Sequence, residues 1–311
     1  MKRAFLFPGQ GTQIVGMGKD IYDKYEQAKR IYDMSEEISG INVKKICFEG
    51  PEEELLKTEN TQIAILTTSL AILEVLKSKG IEADITVGLS LGEYAALIYG
   101  GYISFEDGIK LIKERGFCMG NLIPKEEFSM AAVIGLDNLK IEDICKRIRD
   151  NGKFVVPANY NYSSQTSISG NLEAIDEAIE LLKEAGAKRV IKLNTSGPFH
   201  TSKLEKAKQQ YSISLDRVKF NNKGNGIKVI KNLDGSIYTE NDNIKEILSD
   251  HIVSPVRFDK AIKYMESEKV NQYVEIGPGK VLTGFIKKEN RDANIVNINN
   301  VETLEKFLEQ V

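Results

Sequence analysis

Histidine is nearly absent: only His200 and His251 occur in 311 residues. Imidazole titrates nearest neutrality, so chemistry that needs a proton acceptor near neutral pH has two candidates for it. Cysteine is scarce as well. Cys47, Cys118 and Cys145 are too few and too scattered for a disulfide framework, which points to a reduced, cytoplasmic compartment. There is no run of about 18 apolar residues, so no membrane span is expected. The opening Met1-Lys2-Arg3-Ala4-Phe5-Leu6-Phe7-Pro8 holds too short an apolar stretch for a signal peptide and reads as a first buried strand. Charge of one sign is also lacking. A formal net charge of -3 offers no basic field for nucleic acid or an anionic membrane. What remains is 41% hydrophobic and 28% charged residues, a globular balance in a chain long enough for one large or two modest domains.

Against that background one segment carries chemistry. Ile85-Thr86-Val87-Gly88-Leu89-Ser90-Leu91-Gly92-Glu93 contains G-x-S-x-G between an apolar β-branched run and a helical pattern at 91–99. Glycines on either side let a sharp turn lift the Ser90 hydroxyl clear at the end of a strand. At a helix N-terminus, backbone N–H groups lie where negative charge would develop during nucleophilic attack. Serine in a tight strand-to-helix turn is common, and the motif alone would barely exceed that reading.

Helical spacing runs over 18–38 and over 51–79, where Pro51 and a cluster of acids mark the start and Gly80 the end. A further helix is expected at 104–120. Strand patterns fall at 3–7, 227–230 and 273–276, and 203–226 is too polar to assign. The middle of the chain reads as strand 130–135, helix 141–149, strands 154–158 and 165–169 around a loop at 159–164, helix 172–185 and strand 189–193. That order, β-α-β-β-α-β, is the split βαβ of a ferredoxin-like domain. The chain is therefore read as α/β: a small domain over 126–195 inserted in a large domain made of 1–125 and 196–311.

Several segments, in order, resemble the malonyl-CoA:acyl carrier protein transacylases of fatty acid synthesis. They are Phe7-Pro8-Gly9-Gln10-Gly11-Thr12-Gln13, Asn60-Thr61-Gln62, Gly88-Leu89-Ser90-Leu91-Gly92-Glu93-Tyr94, Arg115, Gly197-Pro198-Phe199-His200-Thr201, Ser254-Pro255-Val256-Arg257 and Glu275-Ile276-Gly277-Pro278-Gly279-Lys280-Val281-Leu282. The resemblance spans the chain to about residue 290. It implies a hydrolase-like large domain with a parallel sheet, and malonyl-CoA and acyl carrier protein as partners. It further implies a monomer with no cofactor and no metal.

By the same resemblance Ser90 attacks the thioester and His200 takes its proton and returns one to the leaving thiol. No acid is well placed in the sequence to orient His200. The family uses a main-chain carbonyl there, usually that of a glutamine; in this chain the position is His251. The backbone N–H groups of Gln10 and Leu91 would form the oxyanion hole. Arg115 would pair with the free carboxylate of malonyl through two parallel hydrogen bonds and so select malonyl over acetyl. Leu89 is a second departure, where the family often has histidine. The alternatives are a discrete acyltransferase of a polyketide synthase and, in a different class, a serine thioesterase that releases acid to water.

Overall fold

The computed structural model describes residues 1–122, 127–193 and 197–311. Among them ten strands follow in order: β1 (Arg3–Phe7), β2 (Ile85–Gly88), β3 (Phe128–Ile134), β4 (Val155–Tyr162), β5 (Gln165–Asn171), β6 (Arg189–Leu193), β7 (Lys228–Val229), β8 (Val256–Arg257), β9 (Gln272–Ile276) and β10 (Ile295–Ile298). They form two five-stranded sheets.

The first sheet is parallel throughout, in the order β10-β9-β1-β2-β7. Ala4 to Phe7 are fully buried, which is why β1 reads as an unbroken apolar run: helices cover both faces of a parallel sheet. Successive side chains still alternate. Phe5 and Phe7 enter the core that holds Ile63, Leu66 and Leu70 of the helix Thr58–Ser78. Ala4 and Leu6 enter the opposite one, with Phe258, Ile262 and Phe285. The helix Thr58–Ser78 is long and apolar enough by composition to cross a membrane, yet most of it is buried in the protein. The register Phe7↔Gly88 brings the loop after β1 beside the turn after β2, at the carboxyl ends of neighbouring strands.

The second sheet runs β6-β3-β5-β4-β8. β3, β4, β5 and β6 pair antiparallel, and the helices Asn138–Asp150 and Leu172–Glu184 pack on one face, their Ile144 and Ile175 in one core with Val133 and Ile168 of the strands. This is the β-α-β-β-α-β order expected. The expected domain limits, at 125/126 and 195/196, lie outside the described residues. One feature differs from a self-contained insert: β8, from the later part of the chain, adds a parallel edge strand to β4. Arg257 in β8 lies over the Tyr160 ring, 4.3 Å from its centroid, and binds Asp259 in two places.

Several local expectations are corrected. The segment 159–164 is strand as far as Tyr162, with only Ser163-Ser164 in the turn, because its tyrosines are buried while its asparagines face the other way. The unassigned stretch 203–226 contains the helix Glu205–Leu215, anchored by Ala207, Tyr211 and Leu215 at a spacing of one helical face. The region 18–38 is two helices, Lys19–Lys24 and Glu26–Ser39, broken at Tyr25. The region 51–79 is likewise split, into Glu52–Leu55 and Thr58–Ser78. β8 and β10 were not expected; each is short, β8 gaining its place from β4 far earlier in the chain and β10 from β9 just before it.

Candidate active site

β2 ends at Gly88 and the helix Gly92–Tyr99 begins four residues on, leaving Ser90 at the corner. The two glycines are there for space. A Cβ on Gly88 would come within 1.8 Å of the Gly92 carbonyl carbon, and one on Gly92 within 2.3 Å of the Phe7 oxygen. Ser90 itself has φ 53 and His200 has φ 59. With Lys269 they are the non-glycine residues in the left-handed region among those described. Backbone strain of this kind costs about 1–3 kcal/mol per residue and persists only where the surroundings impose it.

The corner and the loop before the helix Glu205–Leu215 bring the two residues together. Ser90 Oγ lies 2.7 Å from His200 Nε2. His200 Nδ1 lies 2.9 Å from the main-chain oxygen of His251, in the last turn of the helix Ile244–Val253. A carbonyl only accepts, so the imidazole proton sits on Nδ1 and leaves Nε2 free to accept from the serine hydroxyl. His200 is buried, and burial lowers its pKa well below the ordinary histidine value, with His251 and Arg115 nearby acting in the same direction. Four aspartates between Ser90 and His200 are engaged elsewhere: Asp107 and Asp137 at helix starts, Asp150 and Asp176 with Lys146 and Lys192.

Arg115 projects from the helix Phe105–Asn121 and is 1% exposed. Its guanidinium donates to Gln62 Oε1 at 2.7 Å and to Ser90 Oγ at 3.0 Å, and lies 5.6 Å from the Tyr94 ring centroid. Among the described residues no carboxylate pairs with it. A buried, permanently charged group without a counter-ion is costly, and it opens on the cleft beside the serine.

That cleft, of about 740 Å³, lies between the two sheets. Gln10 and Leu91 line it with Ser90, and among the described residues neither of their backbone N–H groups donates to another part of the chain. Gly9 has to be small here, since a Cβ would sit 2.7 Å from the Leu89 oxygen. Leu89 and Phe199 supply apolar wall. Asn159, Asn161, Gln165 and Ser167 supply polar wall from alternate positions of β4 and β5. Among the described residues no group of three or more His, Cys, Asp or Glu is placed to hold a metal ion.

Sequence reasoning missed three contributors. Gln62 was visible only as part of a motif, without a role. Asn232 accepts from Ser90 N–H at 2.9 Å and donates to the Gly88 oxygen at 2.7 Å, clamping the corner from 142 residues away; nothing local marks it. Glu93 sits in the serine motif yet is fully buried, which its charge hides. The turn Gly277-Pro278-Gly279-Lys280 is structural: Glu275 accepts from Leu282 N, Thr283 N and Thr283 Oγ1 and so caps the helix Val281–Glu289.

Comparison with known proteins agrees with this geometry. The acyl transferase domain family matches residues 4–307. The malonyl CoA-acyl carrier protein transacylase of Bacillus subtilis (strain 168) is 41% identical over 304 residues, covering 98% of this chain and 95% of that protein. The crystal structure of the malonyl CoA-acyl carrier protein transacylase from Clostridium perfringens superposes with a TM-score of 0.95 at 42% identity, over 100% of this chain and 97% of that one. A malonyl-transacylase solved in complex with its type II PKS acyl-carrier protein matches at TM-score 0.95 and 33% identity, over 100% of both chains. The chain belongs to the malonyl-CoA:acyl carrier protein transacylase family of acyl transferase domains.

Proposed function

We propose that this chain transfers a malonyl group from malonyl-CoA to the phosphopantetheine thiol of an acyl carrier protein, through a malonyl ester on Ser90, in fatty acid synthesis. His200 Nε2 takes the hydroxyl proton as Ser90 Oγ bonds to the thioester carbon. The oxyanion of the tetrahedral intermediate accepts from the backbone N–H of Gln10 and Leu91. Collapse breaks the C–S bond, and the departing thiolate takes the proton from His200. The carrier thiol then repeats the sequence in reverse and frees the serine. A thioester is already activated, so a buried base of lowered basicity suffices.

The observation that carries this reading is Arg115, buried without a carboxylate partner among the described residues and 3.0 Å from Ser90 Oγ. A malonyl ester on Ser90 would bring that missing carboxylate, and an acetyl ester would not. The relative solved with a polyketide carrier favours a second reading, in which the same chemistry serves a polyketide synthase. Three free, buried cysteines accord with a cytoplasmic setting.

Intact mass spectrometry after mixing with malonyl-CoA tests the proposal. A malonyl adduct on Ser90 that persists in buffer and disappears when the thiol-bearing carrier is added is the expected result. An adduct elsewhere, or one that water removes as fast as carrier does, overturns it; the second outcome marks a hydrolase.

A further inference from the structure

Ser90 and His200 lie on a closed circuit of buried groups. Ser90 N–H donates to Asn232 Oδ1 at 2.9 Å. Asn232 N–H donates in turn to Glu93 Oε1 at 3.0 Å, an oxygen that also accepts from the Tyr238 hydroxyl at 2.9 Å. Glu93 Oε2 lies 2.9 Å from His251 Nδ1. The His251 ring stacks on that of His200, with centroids 4.8 Å apart and an interplanar angle of 27°. His251 oxygen accepts from His200 Nδ1, and His200 Nε2 returns to Ser90 Oγ. Glu93, Asn232 and His251 are at most 2% exposed.

We propose that Glu93 and Asn232 are positioning residues for the transfer. With the His251 side chain they hold the nucleophile corner and the carbonyl that orients His200 in a single register. The inference rests on the Ser90–His200 reading above. Its physical ground is that three separate elements must be aligned. The corner belongs to β2 and the helix Gly92–Tyr99, Asn232 follows β7, and the orienting carbonyl ends the helix Ile244–Val253. Main-chain pairing links β2 to β7, but it does not reach that helix end. Glu93 does: one oxygen faces the Asn232 segment and the other faces His251. Asn232 then spans the turn, gripping the Gly88 oxygen and Ser90 N–H with the two ends of one amide. Two of the three described non-glycine residues with positive φ, Ser90 and His200, sit on this circuit. Among the described residues no lysine or arginine pairs with this buried carboxylate, which is costly; its Oε1 accepts from Asn232 N–H and the Tyr238 hydroxyl, while Oε2 makes no hydrogen bond and has the His251 ring nitrogen 2.9 Å away.

The test is single-turnover acylation by malonyl-CoA, followed by intact mass, with the rate constant taken over the molecules that become acylated. That quantity does not depend on how much of a variant is folded. Asn232→Ala and Glu93→Ala should each slow acylation about tenfold or more, because misplacing a reacting group by an ångström is enough to do so. The malonyl-CoA concentration for half-saturation should stay within about twofold, since neither residue touches substrate. Glu93→Gln should fall between, because the amide oxygen still accepts from Asn232 and Tyr238. The double variant Asn232→Ala/Glu93→Ala should be little slower than the worse single variant, as both open the same circuit. Rates within about twofold of the unsubstituted protein overturn the proposal, as do additive losses or losses confined to half-saturation. Absence of any acylated molecules in both Asn232→Ala and Glu93→Gln also overturns it, because the network would then hold the fold and not the register. An adduct away from Ser90 in the unsubstituted protein is a separate result, which defeats the reading beneath.

Discussion

His200 donates its Nδ1–H to the main-chain carbonyl of His251, 2.9 Å away, and the two rings stack. A carbonyl can set the tautomer of the base as well as a carboxylate can. It brings no negative charge, however, so it offers less support to an imidazolium. That suits the proposed role of a buried base with lowered pKa acting on an activated ester, where the proton needs to be held only briefly. Orientation comes from the backbone, and the identity of residue 251 enters through what its side chain does elsewhere.

Removing either end of the Ser90–His200 pair separates their roles. Ser90→Ala should form no acyl adduct by intact mass, because no oxygen remains to carry it. His200→Ala should still bind malonyl-CoA but transfer about 10²–10⁴-fold more slowly. Full transfer by Ser90→Ala would remove serine as the nucleophile.

Arg115 should govern which acyl group is accepted. Its guanidinium is buried beside Ser90 Oγ without a carboxylate among the described residues. Arg115→Ala should depress kcat/KM for malonyl-CoA sharply while sparing or improving that for acetyl-CoA. Arg115→Lys should fall between, since it keeps the charge and loses the planar fork. An unchanged malonyl-to-acetyl ratio in Arg115→Ala would make the residue structural.

At position 251 the side chain should matter less than the carbonyl. His251→Gln keeps the main-chain contact and offers an amide donor toward Glu93, so activity should be retained. His251→Leu removes the ring nitrogen that lies 2.9 Å from Glu93 Oε2 and should be slower than His251→Gln. A loss in His251→Gln equal to that in His200→Ala would show that the imidazole reacts directly.

The pH dependence follows from the burial of His200, which lowers its pKa from an ordinary value of 6.5. In the proposed transfer the neutral imidazole is the active form. The acid limb of kcat/KM for malonyl-CoA should therefore lie below pH 6.5, with activity persisting under it. Stability should begin to fall at a higher pH than activity does. Below about pH 6.5 the unfolded chain takes up the proton that the buried ring resists, so thermal stability should decline as pH falls through that value. A kinetic limb at or above pH 6.5 would contradict the burial argument.

The nucleophile corner was legible because its requirements are local. Gly88 must be small for the chain to pass itself at Gly92, and Ser90 is carried between the two glycines; that Gly92 must also be small against Phe7 is not local. Arg115, Gln10 and Leu91 were legible only through resemblance, because alone an arginine on a helix or a glycine-flanked loop has many ordinary uses. Their meeting in one cleft depends on the β1–β2 register and on how the helix Phe105–Asn121 packs against Thr58–Ser78. The split βαβ was legible because alternation and helical spacing change at each boundary. β4 was shortened by reading its asparagines as loop, when they are the polar cleft face of a strand whose tyrosines are buried.

By itself, then, the sequence determined the kinds of element, the order of the inserted fold, the serine corner and the two possible bases, all properties of neighbours along the chain. Only the tertiary structure decided that His251 presents its carbonyl to His200 and its ring to Glu93. It alone placed Asn232 at the nucleophile corner, 142 residues from Ser90, and attached β8 to the second sheet. These pairings join segments whose local patterns are unremarkable, and their energy exists only once water is excluded between them: a buried carboxylate, an amide and an imidazole are ordinary polar residues until burial obliges each to find a partner.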